Sequence, residues 1–214
     1  MKKYLKLLPI IIFILLIIES FPIESEKLVK GFDYFEEKLE DYNDFIKNGV
    51  RMEYITSNKV EDEIKKIKEK IITNFEDINL DKNSIIASNE EETIEAFIWN
   101  EEEGTKVQIS CINNNKDIST DKIKKKLQQI SDFSTKNIKY FNFIKVRIIE
   151  EEKQNFLDLL KKNLKEETLE ELDIYNGKVS KGELRDGTKI NFSLMEYENE
   201  EYLVLGTPVI FITY

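Results

Sequence analysis

The sequence predicts an α+β fold in which a tandem duplication of strand-helix-strand-strand units forms antiparallel sheet with helices on one face. Three observations point there. Stretches that alternate with period two, "VRMEYITS" (50–57), "ETIEAFIWN" (92–100) and "IKYFNFIKVRII" (138–149), stand between stretches whose apolar residues recur at three and four. Two turn-led heptapeptides, Gly104-Thr-Lys-Val-Gln-Ile-Ser110 and Gly187-Thr-Lys-Ile-Asn-Phe-Ser193, match in their glycine, threonine, lysine and serine. The order strand, helix, strand, strand reads out in both halves, and such an order buries one sheet face beneath helices.

Each segment supports a specific reading. Residues 1–20, "MKKYLKLLPIIIFILLIIES", place a basic start before the uncharged run Leu7 to Ile18. That run has the length of a secretory h-region and is short for a membrane span, so the segment is read as a signal peptide or an N-terminal membrane anchor. Ile18 and Ser20 fit a cleavage site before Phe21, and no cysteine follows to carry a lipid. The chain is thus expected to be exported: secreted, or anchored through residues 1–20 if they are uncleaved. Residues 21–47 read as an acidic amphipathic helix, with Leu28, Phe32, Phe35, Leu39, Tyr42 and Phe45 or Ile46 on one face.

The first α+β repeat is assigned to 48–135. It opens with the strand at Val50 and continues into a helix marked by Val60, Ile64, Ile67, Ile71 and Phe75, with Asn58 and Glu61 spaced as a capping box. A polar connection follows. A hairpin then joins "ETIEAFIWN" to "GTKVQISCIN" through Gly104, and a helix over 120–133 turns Ile123, Leu127 and Ile130 inward, capped by Ser119 or Thr120. The second repeat, 136–214, runs through a long strand, the helix "KQNFLDLLKKNL", a strand "LEELDIYNGKVS", a strand "DGTKINFSLMEY" and the closing run "VLGTPVIFITY". In that last run Gly206 and Pro208 have structural roles: they mark a bulge or corner, because proline cannot donate to a ladder.

Composition narrows function. The chain carries 32 basic and 42 acidic side chains and no histidine; beyond residue 20 the balance is 29 to 41, a net charge of −12. Such a chain repels polyanions, so no nucleic acid is expected as a partner. Without histidine the usual general base and the commonest zinc ligand are missing. Cys111, the single cysteine, lies in an alternating stretch and reads as a buried strand residue. Carboxylates such as Glu170, Asp173 and Asp186 are too abundant for any pair to stand out, and Asp-x-Asp and Gly-rich phosphate motifs are missing. No catalytic residue, cofactor or metal is therefore assigned, with calcium at acidic loops left open.

The stretch "GTKINFSLMEYENEEYLVLGTPVIFITY" (187–214) resembles the end of the YwmB family, exported proteins of sporeforming Gram-positive bacteria described as TATA-box-binding-protein-like. The N-terminal segment, overall length and element order fit as well. The resemblance implies a duplicated saddle, TBP-like, with no enzymatic activity to carry over.

Strand alternation proposes a surface. With Ile94, Ala96, Ile98, Val107, Ile109, Cys111, Ile190, Phe192 and Leu194 inward, the opposite face presents Glu95, Phe97, Trp99, Gln108, Ser110, Asn191, Ser193 and Met195. Aromatics beside amides and hydroxyls suit a peptide, glycan or protein ligand, the alternative being that Phe97 and Trp99 pack under a helix or loop of their own. Lys145 and Arg147 share a strand face with Phe141 and Phe143, and are expected to meet carboxylates. The reading favoured by the sequence is an exported, non-enzymatic binding or scaffold domain at the cell envelope, with an envelope protein or polymer as partner. A carboxylate-dependent wall-polymer hydrolase and a TATA-like DNA-binding domain are the alternatives.

Overall fold

The computed structural model describes residues 31–71 and 75–212; the signal-like segment 1–20, Leu28 and the end of the closing run lie outside the described residues. The described residues form an α+β structure around a ten-stranded antiparallel sheet with four α-helices. The first half comprises α1 (Gly31–Tyr42), β1 (Asp44–Thr56), α2 (Val60–Ile71), β2 (Asp77–Asp81), β3 (Ser84–Ser88), β4 (Glu92–Glu101) and β5 (Gly104–Asn113). The second comprises α3 (Thr120–Gln128), β6 (Thr135–Arg147), α4 (Glu150–Asn163), a 3-10 turn (Glu166–Thr168), β7 (Glu170–Ile174), β8 (Gly177–Glu183), β9 (Lys189–Tyr197) and β10 (Glu200–Thr207).

The strands lie in the order β2-β3-β4-β5-β1-β6-β10-β9-β8-β7, so β1 and β6 pair at the centre and each half continues outward as a meander. Each half therefore runs strand, helix, four strands, two strands more than expected in the first half and one more in the second. The residues read as a polar connection form the β2–β3 hairpin, and "LEELDIYNGKVS" is two strands, β7 and β8, joined at Tyr175-Asn176. Both additions are edge hairpins whose outermost strand is exposed along most of its length, so neither shows a strong apolar alternation. The matching heptapeptides also prove non-equivalent. Gly104–Ser110 opens β5, which pairs with β1, whereas Gly187–Ser193 leads into β9, which pairs with β8 and β10. What they share is a glycine of positive φ at the turn, +133° at Gly104 and +92° at Gly187.

Among the described residues all four α-helices pack on one face, over two cores. In the first, Val60 and Ile67 of α2 and Ile123 and Leu127 of α3 cover Val50, Met52, Tyr54, Ile94, Ile98, Val107 and Ile109. In the second, Phe32, Phe35 and Leu39 of α1 join Phe156 and Leu160 of α4 over Ile144, Val146, Phe192, Leu203 and Leu205. Helix α1 thus covers the sheet half built by the far end of the chain. It ends earlier than expected: Phe45 and Ile46 belong to β1, where a bulge between Phe45 and Lys47 lets Phe45 reach the second core from the sheet.

Two expected caps are replaced. The Asn58 amide donates to Glu63 Oε1 (2.7 Å) rather than closing a box with Glu61. At α3 the Ser119 side chain makes no cap bond; instead Glu36 of α1 accepts from Thr120 N (2.9 Å) and Thr120 Oγ1 (2.6 Å), and from Asn48 Nδ2 (3.1 Å). A carboxylate at a helix N-terminus satisfies free N–H groups and opposes the helix dipole.

Candidate functional site

Cross-strand partners in an antiparallel sheet project to the same side, so the register sorts the residues. Phe97 faces Gln108, Glu95 faces Ser110, and Trp99 faces Lys106 on the side away from the helices. Asn191 faces Gly206, Ser193 faces Val204, and Met195 faces Tyr202 on that same side. All seven proposed binding residues are therefore on the open face. They do not form one surface: β1, β6 and β10 separate the two groups. Phe97 is 42% exposed and Ile86 of β3, on the same face, 41%, whereas Ser110, Ser193 and Met195 are buried at 6%, 0% and 4%. None of these three side chains is open to a ligand, which corrects the sequence reading at Ser110, Ser193 and Met195. Trp99 keeps its ring near Lys106, 5.5 Å away, and its indole N–H donates to Glu101 (2.9 Å).

The centre of the open face is occupied by residues Pro208–Ile212 of the same chain. β10 stops at Thr207, so the closing run is not a strand throughout; past the cis Thr207–Pro208 bond it folds back over the sheet. The Phe211 ring meets Phe143 edge to face at 5.1 Å, and the Arg51 guanidinium lies over Phe211 at 4.5 Å. Arg51 Nη2 also donates to the Phe211 carbonyl (3.2 Å), while its Nε donates to Ser110 Oγ (3.1 Å). The Asn191 amide donates to the Pro208 carbonyl. Beside this strap is a cavity of about 280 Å³, lined by Lys47, Arg51, Glu95, Ser110, Ile112, Phe211 and Ile212.

Gly206 serves this arrangement through close approach. Its φ is outside the left-handed region; a Cβ there would stand 2.8 Å from Ile210 Cγ1 and 3.2 Å from Ile210 Cα. Sequence reasoning passed over Arg51 and Phe211. The usable signal was parity: Arg51 alternates with Val50 and Met52, so it had to face away from the helices.

The remaining candidates are accounted for by local pairings. Arg147 binds Asp44 (2.5 Å) and Glu200 (2.6 Å), and Lys145 lies over the Tyr202 ring at 4.9 Å. Glu170 pairs with Lys181 (2.9 Å), Asp173 lies 3.7 Å from Lys178, and Asp186 accepts from Thr188 N in a turn (2.9 Å). Cys111 is fully buried and donates to Glu92 Oε1 (2.7 Å); burial, reinforced by the Glu92 carboxylate, pushes its thiol well above the ordinary range. Such a thiol is inert, because the thiolate is the reactive form. Among the described residues no three acidic or cysteine side chains gather as a metal site, and no helix is long and apolar enough to cross a membrane. In comparison with known proteins, no family model matches the chain and no curated protein is significantly similar to it.

Proposed function

We propose that this chain is an exported, non-enzymatic binding or scaffold domain of the cell envelope, and that its open sheet face takes the ligand. The uncovered Phe97, flanked by Ile86, Trp99 and Gln108 and with no helix above it among the described residues, carries the reading. A rigid aromatic left in water has a use when a partner covers it. The resemblance of residues 187–214 to the YwmB family, and the basic and apolar start of the chain, support the envelope as the setting. The repeated order of strand, helix and four strands about the β1–β6 pair supports descent from a duplicated, TBP-like saddle.

DNA is a poor occupant for this saddle. A net charge of −12 beyond residue 20 opposes it, and Arg147 is already spent on Asp44 and Glu200. A hydrolase would need converging carboxylates, and Glu170, Asp173 and Asp186 are held by lysines or a turn.

The test is a variant carrying Phe97→Ala and Trp99→Ala, with in-cell crosslinking compared against wild type. Stability should change by less than about 1 kcal/mol, since surface substitutions are generally mild. Crosslinks present in wild type should be lost. Retained crosslinks would remove these rings from the ligand surface, and gross unfolding would show that they serve the fold instead.

A further inference from the structure

The two halves of the sheet bury their helical faces with different ends of the chain. After β5 the chain crosses to the helix side as α3, whereas α1, which precedes β1, covers the second half. After β10, residues Pro208–Ile212 are left to lie on the open face instead. There they engage two of the polar residues singled out as ligand-binding: Asn191 donates to the Pro208 carbonyl, and Ser110 accepts from Arg51 Nε and so fixes the guanidinium that holds Phe211. The strap displays the chemistry this place recognises. It takes an aromatic ring between Phe143 and Arg51 and two main-chain carbonyls, all from a segment that adds no strand to the sheet.

We infer that the open face binds a partner polypeptide bearing an aromatic residue, and that Pro208–Ile212 is a resident occupant which that segment displaces. This rests on the open face being the binding surface. The cavity of about 280 Å³ bordering Phe211 and Ile212 gives an incoming chain a foothold beside the strap, and it leads past Glu95 toward the exposed Phe97. A resident occupant lowers apparent affinity by the fraction of molecules in which the place is free, so weakening the strap must tighten binding.

The probe is a fluorescent octapeptide copying Thr207–Tyr214, titrated into the full chain and followed by anisotropy. Phe211→Ala should bind it at least tenfold more tightly than wild type, and Arg51→Ala added to that variant should remove the gain. Equal affinities, or no binding to either protein, overturn the inference. Should Phe211→Ala fail to fold, hydrogen exchange on wild type decides: saturating probe must speed exchange at Val209–Ile212, and unchanged rates overturn the proposal. Concentration-dependent dimerisation abolished by Phe211→Ala would assign the place to a second copy's tail and overturn the partner reading. Equal probe affinities, with crosslinks still lost on changing Phe97 and Trp99, sink only the strap exchange. Tighter probe binding with undiminished crosslinks sinks the Phe97 surface and leaves the exchange standing.

Discussion

Replacing Gly49 by alanine is expected to destabilise the protein by about 2 to 3 kcal/mol, the upper part of the range for overpacking a filled site. Gly49 lies in β1 opposite Phe143 of β6, at the middle of the ten-stranded sheet. A Cβ built there meets the Cys111 carbonyl oxygen at 2.6 Å and Phe143 Cε1 at 2.6 Å. The carbonyl belongs to the backbone of the paired strand β5 and cannot step aside without disturbing the ladder. Phe143 is fully buried and fixed against Phe211, so it can yield only by pushing out the strap. The loss should appear as a lower urea midpoint at unchanged slope. It should be accompanied by faster hydrogen exchange at Val209–Ile212. A midpoint shifted by less than about 0.5 kcal/mol equivalent, the ordinary scatter for a tolerated surface change, would sink the account.

The same centre shows what the sequence could and could not disclose. Alternation carried face assignment well: Ile94, Ala96, Ile98, Val107, Ile109 and Cys111 are fully buried beneath helices, and Phe97, Trp99 and Gln108 point away from them. Parity is local, so it survives without tertiary knowledge. Which strands are neighbours is not local. Asn191, Ser193 and Met195 share the open side with Phe97 yet lie beyond β1, β6 and β10 from it, and the burial of Ser193 and Met195 has no counterpart in their own strand's pattern. The heptapeptide match misled for a related reason. A glycine with positive φ followed by Thr-Lys records a turn entering a strand, and two such turns serve β5 and β9, which hold different places in their halves. The closing run was legible in part. Gly206 and Pro208 marked a break in the strand, whereas the destination of Phe211 depended on Arg51 and Phe143, some 160 and 68 residues earlier in the chain. Caps followed the same division, since Glu36, which closes the start of α3, is 84 residues from Thr120.

Glu36 and its neighbour Glu40, one turn apart on α1, should respond to substitution in opposite directions. Removing Glu36 as Glu36→Ala is expected to cost about 3 kcal/mol, because the buried Thr120 N–H and hydroxyl lose their acceptor. Asn48 suffers less, as its amide also donates to the Ile118 carbonyl (2.8 Å). Glu40 makes no such return: its Oε1 is buried with no hydrogen-bond partner among the described residues. Burial, followed by the charge of Glu36, pushes its carboxyl up to about 7, with Lys116 only partly opposing. The folded protein then keeps a proton on Glu40 at pH values where the unfolded chain, titrating near 4.5, has released it. That contribution to stability is complete below about pH 4.5 and is lost as pH rises through 7. Glu36 is raised by burial as well and adds to the same trend, whereas Asp132, depressed by Ser134 and Lys66, acts in the opposite sense only at strongly acid pH. No histidine is present to titrate in between, so the interval from pH 5 to 7 reports on these carboxyls. Glu40→Gln should therefore stabilise the protein at pH 7, leave it little changed at pH 5, and flatten the decline of the urea midpoint between them. Parallel pH profiles for wild type and Glu40→Gln would show that Glu40 is charged and solvated in the folded state, and would remove the basis for the paired prediction.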